Sequence, residues 1–264
     1  MLSMQTIIVY GQDPRMDFVA GYFYHLGYEV YEEFLDDIEA YAIITSPTIS
    51  YEMERELTNK ANKGQILYYG ILSKESLGIL QSRGVVCRCY LNWEDFVEKN
   101  AVLTAQGIVH EAIKAGAVLC ESHCLVAGYG HCAKALIPYL IEEGAHVDVL
   151  VRRRELRHDI EALGCGYLSL QCAENICFDK YSYLFNTIPA VIFDRAMVHR
   201  LPLDIMIFDI ASKPGGVDYN LCRSMDIWAK LYSSIPGKLY PQKAGEIVAS
   251  CILDYEKEHP LTQE

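Results

Sequence analysis

The sequence predicts an α/β protein built as two lobes, each a parallel sheet covered by helices. Three observations lead there. Apolar, strand-like runs alternate with helix-like stretches along the chain, the pattern of parallel sheets buried on both faces. The 264 residues exceed one domain of common size and suit two. A glycine turn at Gly128 restarts the alternation near mid-chain.

Composition narrows the class. The chain is 51% hydrophobic and 22% charged, enough to bury a full core, unlike a disordered chain. Its net charge is −12 and both halves are acidic, which argues against nucleic acid as a partner, since phosphate binding needs basic surface. Arg152, Arg153, Arg154 and Arg157 form the one basic cluster. No apolar run reaches the length of a membrane span, and Thr6 to Tyr10 starts without the flank of a signal peptide, so a cytoplasmic location is expected. The ten cysteines are scattered singly, with Cys87 and Cys89 too close for a metal pair. They read as reduced core thiols, and no metal site is expected.

In the N-terminal lobe, Thr6–Tyr10 reads as a strand, Met16–Leu26 as a helix ended by Gly27, and Glu29–Tyr31 and Ala42–Thr45 as further strands. The acidic stretch Tyr51–Asn62 is helical and Gln65–Tyr69 extended. Lys74–Ser82, Val85–Cys89 and Asn92–Lys99 continue as helix, strand and helix. This implies a flavodoxin-like or Rossmann-like domain over residues 1–100. Thr104–Ala115 reads as a separate helix with Ile108, Ala112 and Ala115 on one face, and residues 101–120 are taken as the linker.

The second lobe, residues 121–264, begins with strand Cys124–Gly128 and helix Lys134–Glu143, then strand His146–Val151 and helix Leu156–Leu163. Strands follow at Tyr167–Leu170, Tyr183–Asn186, Ile205–Ile210 and Ala229–Tyr232, with a short helix at Asp194–Arg200. The final helix, Lys243–Tyr255, carries an apolar stripe of Ile247, Val248 and Ile252, so it is expected to fold back against the linker or the N-terminal lobe.

The candidate site is Gly128-Tyr129-Gly130-His131-Cys132-Ala133, a GxGxxA turn between a strand and a helix within one βαβ unit. Gly128 makes the turn, Gly130 admits a pyrophosphate close to the backbone, and Ala133 permits close helix–strand packing. The helix start favours negative charge. An NAD(P)-binding Rossmann domain follows. The second strand ends at Val151-Arg152-Arg153, about 20 residues beyond Ala133, where an acid would bind both ribose hydroxyls and an arginine a 2′-phosphate. Asp148 falls mid-strand, too early. NADP is therefore expected, with NAD as the alternative.

Three further stretches resemble the A subunits of dipicolinate synthase: Asn186-Thr187-Ile188-Pro189-Ala190, Asp209-Ile210-Ala211-Ser212-Lys213-Pro214-Gly215-Gly216-Val217-Asp218-Tyr219, and Pro236-Gly237-Lys238-Leu239-Tyr240-Pro241 with Ala244-Gly245. The resemblance is good over residues 100–255 and thinner before them. Gln106 stands where the family has glutamate, His131 where it has arginine, and Gln242-Lys243 where it has lysine–threonine. The resemblance implies a dehydrogenase that oxidises dihydrodipicolinate to dipicolinate in sporulation, with a nicotinamide acceptor and a flavoprotein-like B subunit.

Such chemistry needs an oriented cofactor, carboxylate clamps and one base. Asn186, Thr187, Ile188, Pro189 and Asp209 are candidates for lining the nicotinamide side. Ser212 and Lys213, with N–H groups of Gly215 and Gly216, are candidates for a carboxylate. Arg15 is a candidate for a second clamp, and Asp218 or His110 for the base. The Ser212-Lys213 loop is expected to face the glycine loop across a cleft. Two other readings stay open: a related dehydrogenase acting on another small carboxylate, and a nucleotide-binding subunit without chemistry. Whether the chain forms homo-oligomers is left open as well.

Overall fold

The structure, a computed structural model, describes residues 5–259. Contacts divide the chain into two compact units, one comprising the described parts of Met1–Asn100 and Pro236–Glu264, the other Ala101–Ile235.

The first unit contains β1 (Thr6–Tyr10), α1 (Arg15–His25), β2 (Glu29–Tyr31), β3 (Ala42–Thr45), α2 (Tyr51–Lys60), β4 (Ile66–Tyr69), α3 (Lys74–Ser82) and β5 (Val86–Cys89). Its strands are all parallel in the order β2-β1-β3-β4-β5, the flavodoxin-like arrangement. The central strands bury both faces, which explains why they read as continuous apolar runs. Ile7 and Val9 point into one core with Val19 and Phe23. Ile8 and Ile43 point into the other with Leu57 and Leu80. Serine hydroxyls start two of the helices: Ser50 accepts from Met53 N at 3.3 Å and Ser73 from Ser76 N at 3.1 Å.

Asn92–Lys99 and Thr104–Ala115, expected as two helices, belong to one: α4, Glu94–Lys114. No glycine or proline separates them until Gly107, and Ala101 and Leu103 in the junction are buried, so the helix has both the propensity and the packing to continue.

The second unit contains β6 (His123–Ala127), α5 (His131–Glu142), β7 (His146–Val151), α6 (Arg157–Ala162), β8 (Gly166–Ser169), β9 (Tyr183–Asn186), α7 (Arg195–Val198), β10 (Met206–Asp209), α8 (Tyr219–Ser224) and β11 (Trp228–Leu231). The chain then runs through α9 (Ile235–Leu239) to α10 (Pro241–Glu258). The six strands are parallel in the order β11-β10-β9-β6-β7-β8. Counted from β6, this is the doubly wound dinucleotide-binding order, with its switch point between β6 and β9.

The C-terminal helix joins the first unit. Val248 and Ile252, from the predicted apolar stripe, are buried in the core that holds Val19 and Phe23, and Ile247 packs against it. A Cβ on Gly245 would lie 2.6 Å from the carbonyl oxygen of Arg15, so glycine lets α10 approach α1 closely. Among the described residues, no helix is long and apolar enough to cross a membrane.

Candidate functional site

The glycine loop sits at the switch point of the second sheet. Gly128 adopts φ 103°, a left-handed conformation suited to glycine. Its N–H donates to the carbonyl of Leu150 at 2.9 Å, and an added Cβ would lie 2.3 Å from Thr187 Oγ1. Thr187 in turn donates through both its N–H and its hydroxyl to the carbonyl of Ala127, at 2.9 and 2.8 Å. The turn after β6 and the end of β9 are thus stitched together. Ala133, in the first turn of α5, is fully buried.

Gly130 precedes α5, and no side chain caps that helix. A Cβ on Gly130 would meet no atom within 4 Å. The helix start therefore opens onto free space, with its dipole and first-turn N–H groups available to an anion. Gly128, Tyr129 and Gly130 line a cavity of about 420 Å³ together with Arg152, Arg153 and Ile188. Both arginines are exposed. His131 is exposed and Cys132 half-buried at the helix start, and Pro189 is exposed after β9. Burial pushes up the Tyr129 hydroxyl and the Cys132 thiol, so both stay protonated near neutral pH.

Asp148 is committed elsewhere. Its Oδ2 accepts from Lys180 Nζ at 2.5 Å and from the Tyr181 hydroxyl, and burial and this bond raise the tyrosine's pKa. The end of β7 consequently offers two guanidinium groups and no carboxylate. The groups present fit a dinucleotide.

A second network, centred on a buried carboxylate, organises the loop after β10. Asp209 is 0% exposed. Its Oδ1 accepts from Asn186 Nδ2 and from Ala211 N, both at 2.9 Å. Its Oδ2 accepts from Gly216 N at 2.7 Å and from the Tyr219 hydroxyl at 2.6 Å. Four donors on one enclosed carboxylate hold the Ser212–Tyr219 segment in place. Asn186, also 0% exposed, continues the chain of bonds to the Ile188 carbonyl at 3.0 Å and accepts from Ile188 N at 3.2 Å. Asp209 and Asn186 thus position the loops around them and present no free edge to a ligand. Burial and the bond to Asp209 also raise the Tyr219 pKa.

This network corrects one sequence expectation. Gly216 N is consumed by Asp209, and Gly215 N donates to the Ser212 carbonyl at 2.9 Å, so neither N–H faces a ligand carboxylate. Glycine is needed at 216 for space, because a Cβ there would lie 2.3 Å from Asn186 Nδ2. Lys213 lies on the loop that follows β10. It lines a cavity with Tyr219, Arg223 and Trp228 that shares no lining residue with the glycine cavity. Ser212 is exposed on the same loop. Asp218 caps α8, with Oδ1 accepting from Leu221 N at 3.0 Å, and His110 is exposed on α4.

Arg15 belongs to the first unit, in the opening turn of α1. It is 4% exposed, with Nε paired to Asp13 Oδ1 at 2.8 Å. A Cβ on Gly237 would lie 2.6 Å from its guanidinium. The sequence does not reveal Tyr219, Arg223, Trp228 and Lys230 as lining residues, because nothing local marks side chains that meet only when β10, α8 and β11 pack.

No family model matches the sequence. The A subunit of dipicolinate synthase from Bacillus subtilis (strain 168) is 26% identical over 161 residues, 60% of this chain and 54% of that protein; the match spans about half of the relative's length. The crystal structure of the dipicolinate synthase A chain from Bacillus subtilis superposes with a TM-score of 0.85 at 20% identity, covering 98% of this chain and 97% of that one. The apo structure of D-lactate dehydrogenase from Escherichia coli gives 0.65 at 12% identity, covering 98% of both chains. The chain is a divergent relative of the dipicolinate synthase A subunits in sequence, and it shares the two-lobed α/β fold of those proteins and of the dehydrogenase.

Proposed function

We propose that the chain is an NADP-dependent dehydrogenase subunit that oxidises a small cyclic dicarboxylate, dihydrodipicolinate, to dipicolinate during sporulation, in the cytoplasm and with a flavoprotein-like B subunit. One observation carries the cofactor: Arg152 and Arg153 line the same cavity as Gly128 and Gly130, while Asp148 is tied to Lys180 and Tyr181. The sequence similarity to the A subunit of dipicolinate synthase supports the substrate.

In this reading the pyrophosphate lies over Gly130 and the α5 start, and the arginines hold the 2′-phosphate. Bound NADP+ supplies a hydride acceptor. Thr187, Ile188 and Pro189 shape the neighbouring wall at the end of β9, with Asn186 and Asp209 fixing the backbone behind it. Ser212 donates to a substrate carboxylate. Asp218 is the candidate base: one carboxylate oxygen caps α8, and the other remains to take the proton from the ring carbon. His110 is the alternative base.

The test is substrate-dependent reduction of NADP, followed by nicotinamide absorbance, with and without a B-type subunit. Reduction with dihydrodipicolinate is the expected result. Reduction with other small carboxylates alone would identify a sister dehydrogenase. Nucleotide binding without reduction in either arm would leave a non-catalytic subunit. Asp218→Asn, which preserves the helix cap, should lower kcat about 100-fold or more with unchanged thermal stability. A kcat unchanged there but lost in His110→Ala moves the base to α4.

A further inference from the structure

We propose that Arg200 is a positioning residue for the glycine-loop cavity: it fixes the spacing of two apolar walls by clamping the turn that carries Leu170. The proposal rests on that cavity taking a dinucleotide. One wall is Leu170, which follows β8, and the other is Ile188 and Ile192, which follow β9. In the sheet, β6 and β7 lie between β8 and β9, so those two strands stand roughly 14 Å apart. No backbone ladder joins their ends, and the walls need another tie.

Arg200 supplies it. The residue follows α7, on the chain that leads on from Ile188 and Ile192. Its N–H donates to the Met197 carbonyl at 3.0 Å, and Val198 and Leu201 beside it are buried. From this anchored place the guanidinium reaches the turn after β8. Nη1 donates to the Ala173 carbonyl at 2.6 Å, and Nη2 donates to those of Glu174 at 3.1 Å and Ile176 at 2.6 Å. The cation also lies 5.0 Å from the centroid of the buried Phe178 ring. The turn itself, Leu170–Asn175, is a 3-10 stretch broken at Cys172 (φ −120°, ψ 30°), so it has little internal support. Leu170, Ala173 and Ile176 pack against the core that also takes Ile188 and Ile192, so a shift of the turn carries Leu170 with it. A planar fork of donors suits carbonyls of three residues, which a single ammonium does not span.

Calorimetric titration of the full chain with NADP and NAD tests this in Arg200→Ala, Leu170→Ala and the double variant. Each single change should weaken the nucleotide about tenfold. Because Arg200 acts through Leu170, removing it from a chain that already lacks the leucine should cost less than about twofold more. A residue that merely supports the fold would give losses that multiply. Arg200→Lys keeps the charge beside Phe178 without holding three carbonyls, so its affinity should fall between wild type and Arg200→Ala. It takes the place of Arg200→Ala in the comparison if the alanine variant does not fold. Multiplying losses, or an Arg200→Ala affinity within about twofold of wild type, would overturn the role of Arg200 and leave the nucleotide reading standing. A wild-type chain that binds neither nucleotide overturns that reading and the role of Arg200 with it.

Discussion

The two units open with the same device, a strand, a glycine turn and a helix, yet the helix starts are filled differently. After β1, Gly11 turns the chain at φ 149° and Asp13 supplies the negative charge at the α1 start. Its Oδ1 accepts from the N–H of Arg15 at 3.1 Å and its carbonyl from that of Met16 at 2.9 Å, while Arg15 neutralises the carboxylate. After β6, Gly128 and Gly130 leave the α5 start with no side-chain cap and with open space above it. Negative charge stabilises a helix start. The first unit carries its own, and the second leaves its helix start without a side-chain cap.

Breaking the internal anion should have the largest effect. Asp13→Ala strands a buried guanidinium, and losing one partner of a buried pair costs about 3 kcal/mol. Urea unfolding should show that loss, with NADP affinity unchanged. Retained stability would mean that Arg15 finds another partner and the comparison fails at its first term.

The two turns should then respond oppositely to an added methyl group. Gly11→Ala forces a strained φ and brings a Cβ within 2.2 Å of Ser46 Oγ, a cost of about 2 kcal/mol, with nucleotide binding intact. Gly130→Ala meets no atom, so stability should hold to within about 0.5 kcal/mol. NADP affinity should instead fall roughly tenfold, because the methyl group stands where the pyrophosphate approaches. If both variants unfold alike, Gly130 is a structural turn.

Cofactor choice sharpens the second term. Two charge-assisted contacts from exposed arginines should favour NADP over NAD by about 10- to 100-fold, less at high salt. Arg152→Asp with Arg153→Ala should reverse the preference, as read by calorimetry with both nucleotides. Equal affinities in the unmodified chain would remove the 2′-phosphate from the site.

A last effect is common to both units and appears only in alkali. Burial pushes the Cys124 and Cys222 thiols up to about 11 and the Cys251 thiol up to about 12. These groups remain neutral when folded, whereas the unfolded chain ionises its thiols near pH 8.5. Their contribution is complete below that value and is lost as pH rises towards 11–12. The thermal midpoint should stay flat to about pH 8.5 and fall above it; a rise in that range would contradict the burial of these thiols.

Much of this architecture was legible in the chain. The apolar runs Thr6–Tyr10 and Tyr183–Asn186 match β1 and β9 to the residue, since a strand buried on both faces needs a continuous apolar segment bounded by breakers. The glycine loop was legible for a similar reason: its turn, its close approach and its packing each demand a small residue at a set spacing. The Arg152-Arg153 pair was readable because the dinucleotide fold ties the end of its second strand to the ribose.

What escaped the sequence depended on partners far apart in the chain. Asp209 looks like a ligand group at a strand end, and only the packed structure encloses it among Asn186, Ala211, Gly216 and Tyr219. Lys213 follows the same strand, but α8 and β11 decide that it lines a cavity apart from the glycine loop. The apolar stripe of α10 announced a packing face, while the choice of the α1 core as its seat was tertiary. Periodicity and turn chemistry act between neighbours and are written locally. Burial of a carboxylate and the lining of a cavity depend on which distant surfaces meet, and those are settled only when the sheet and its helices close around them.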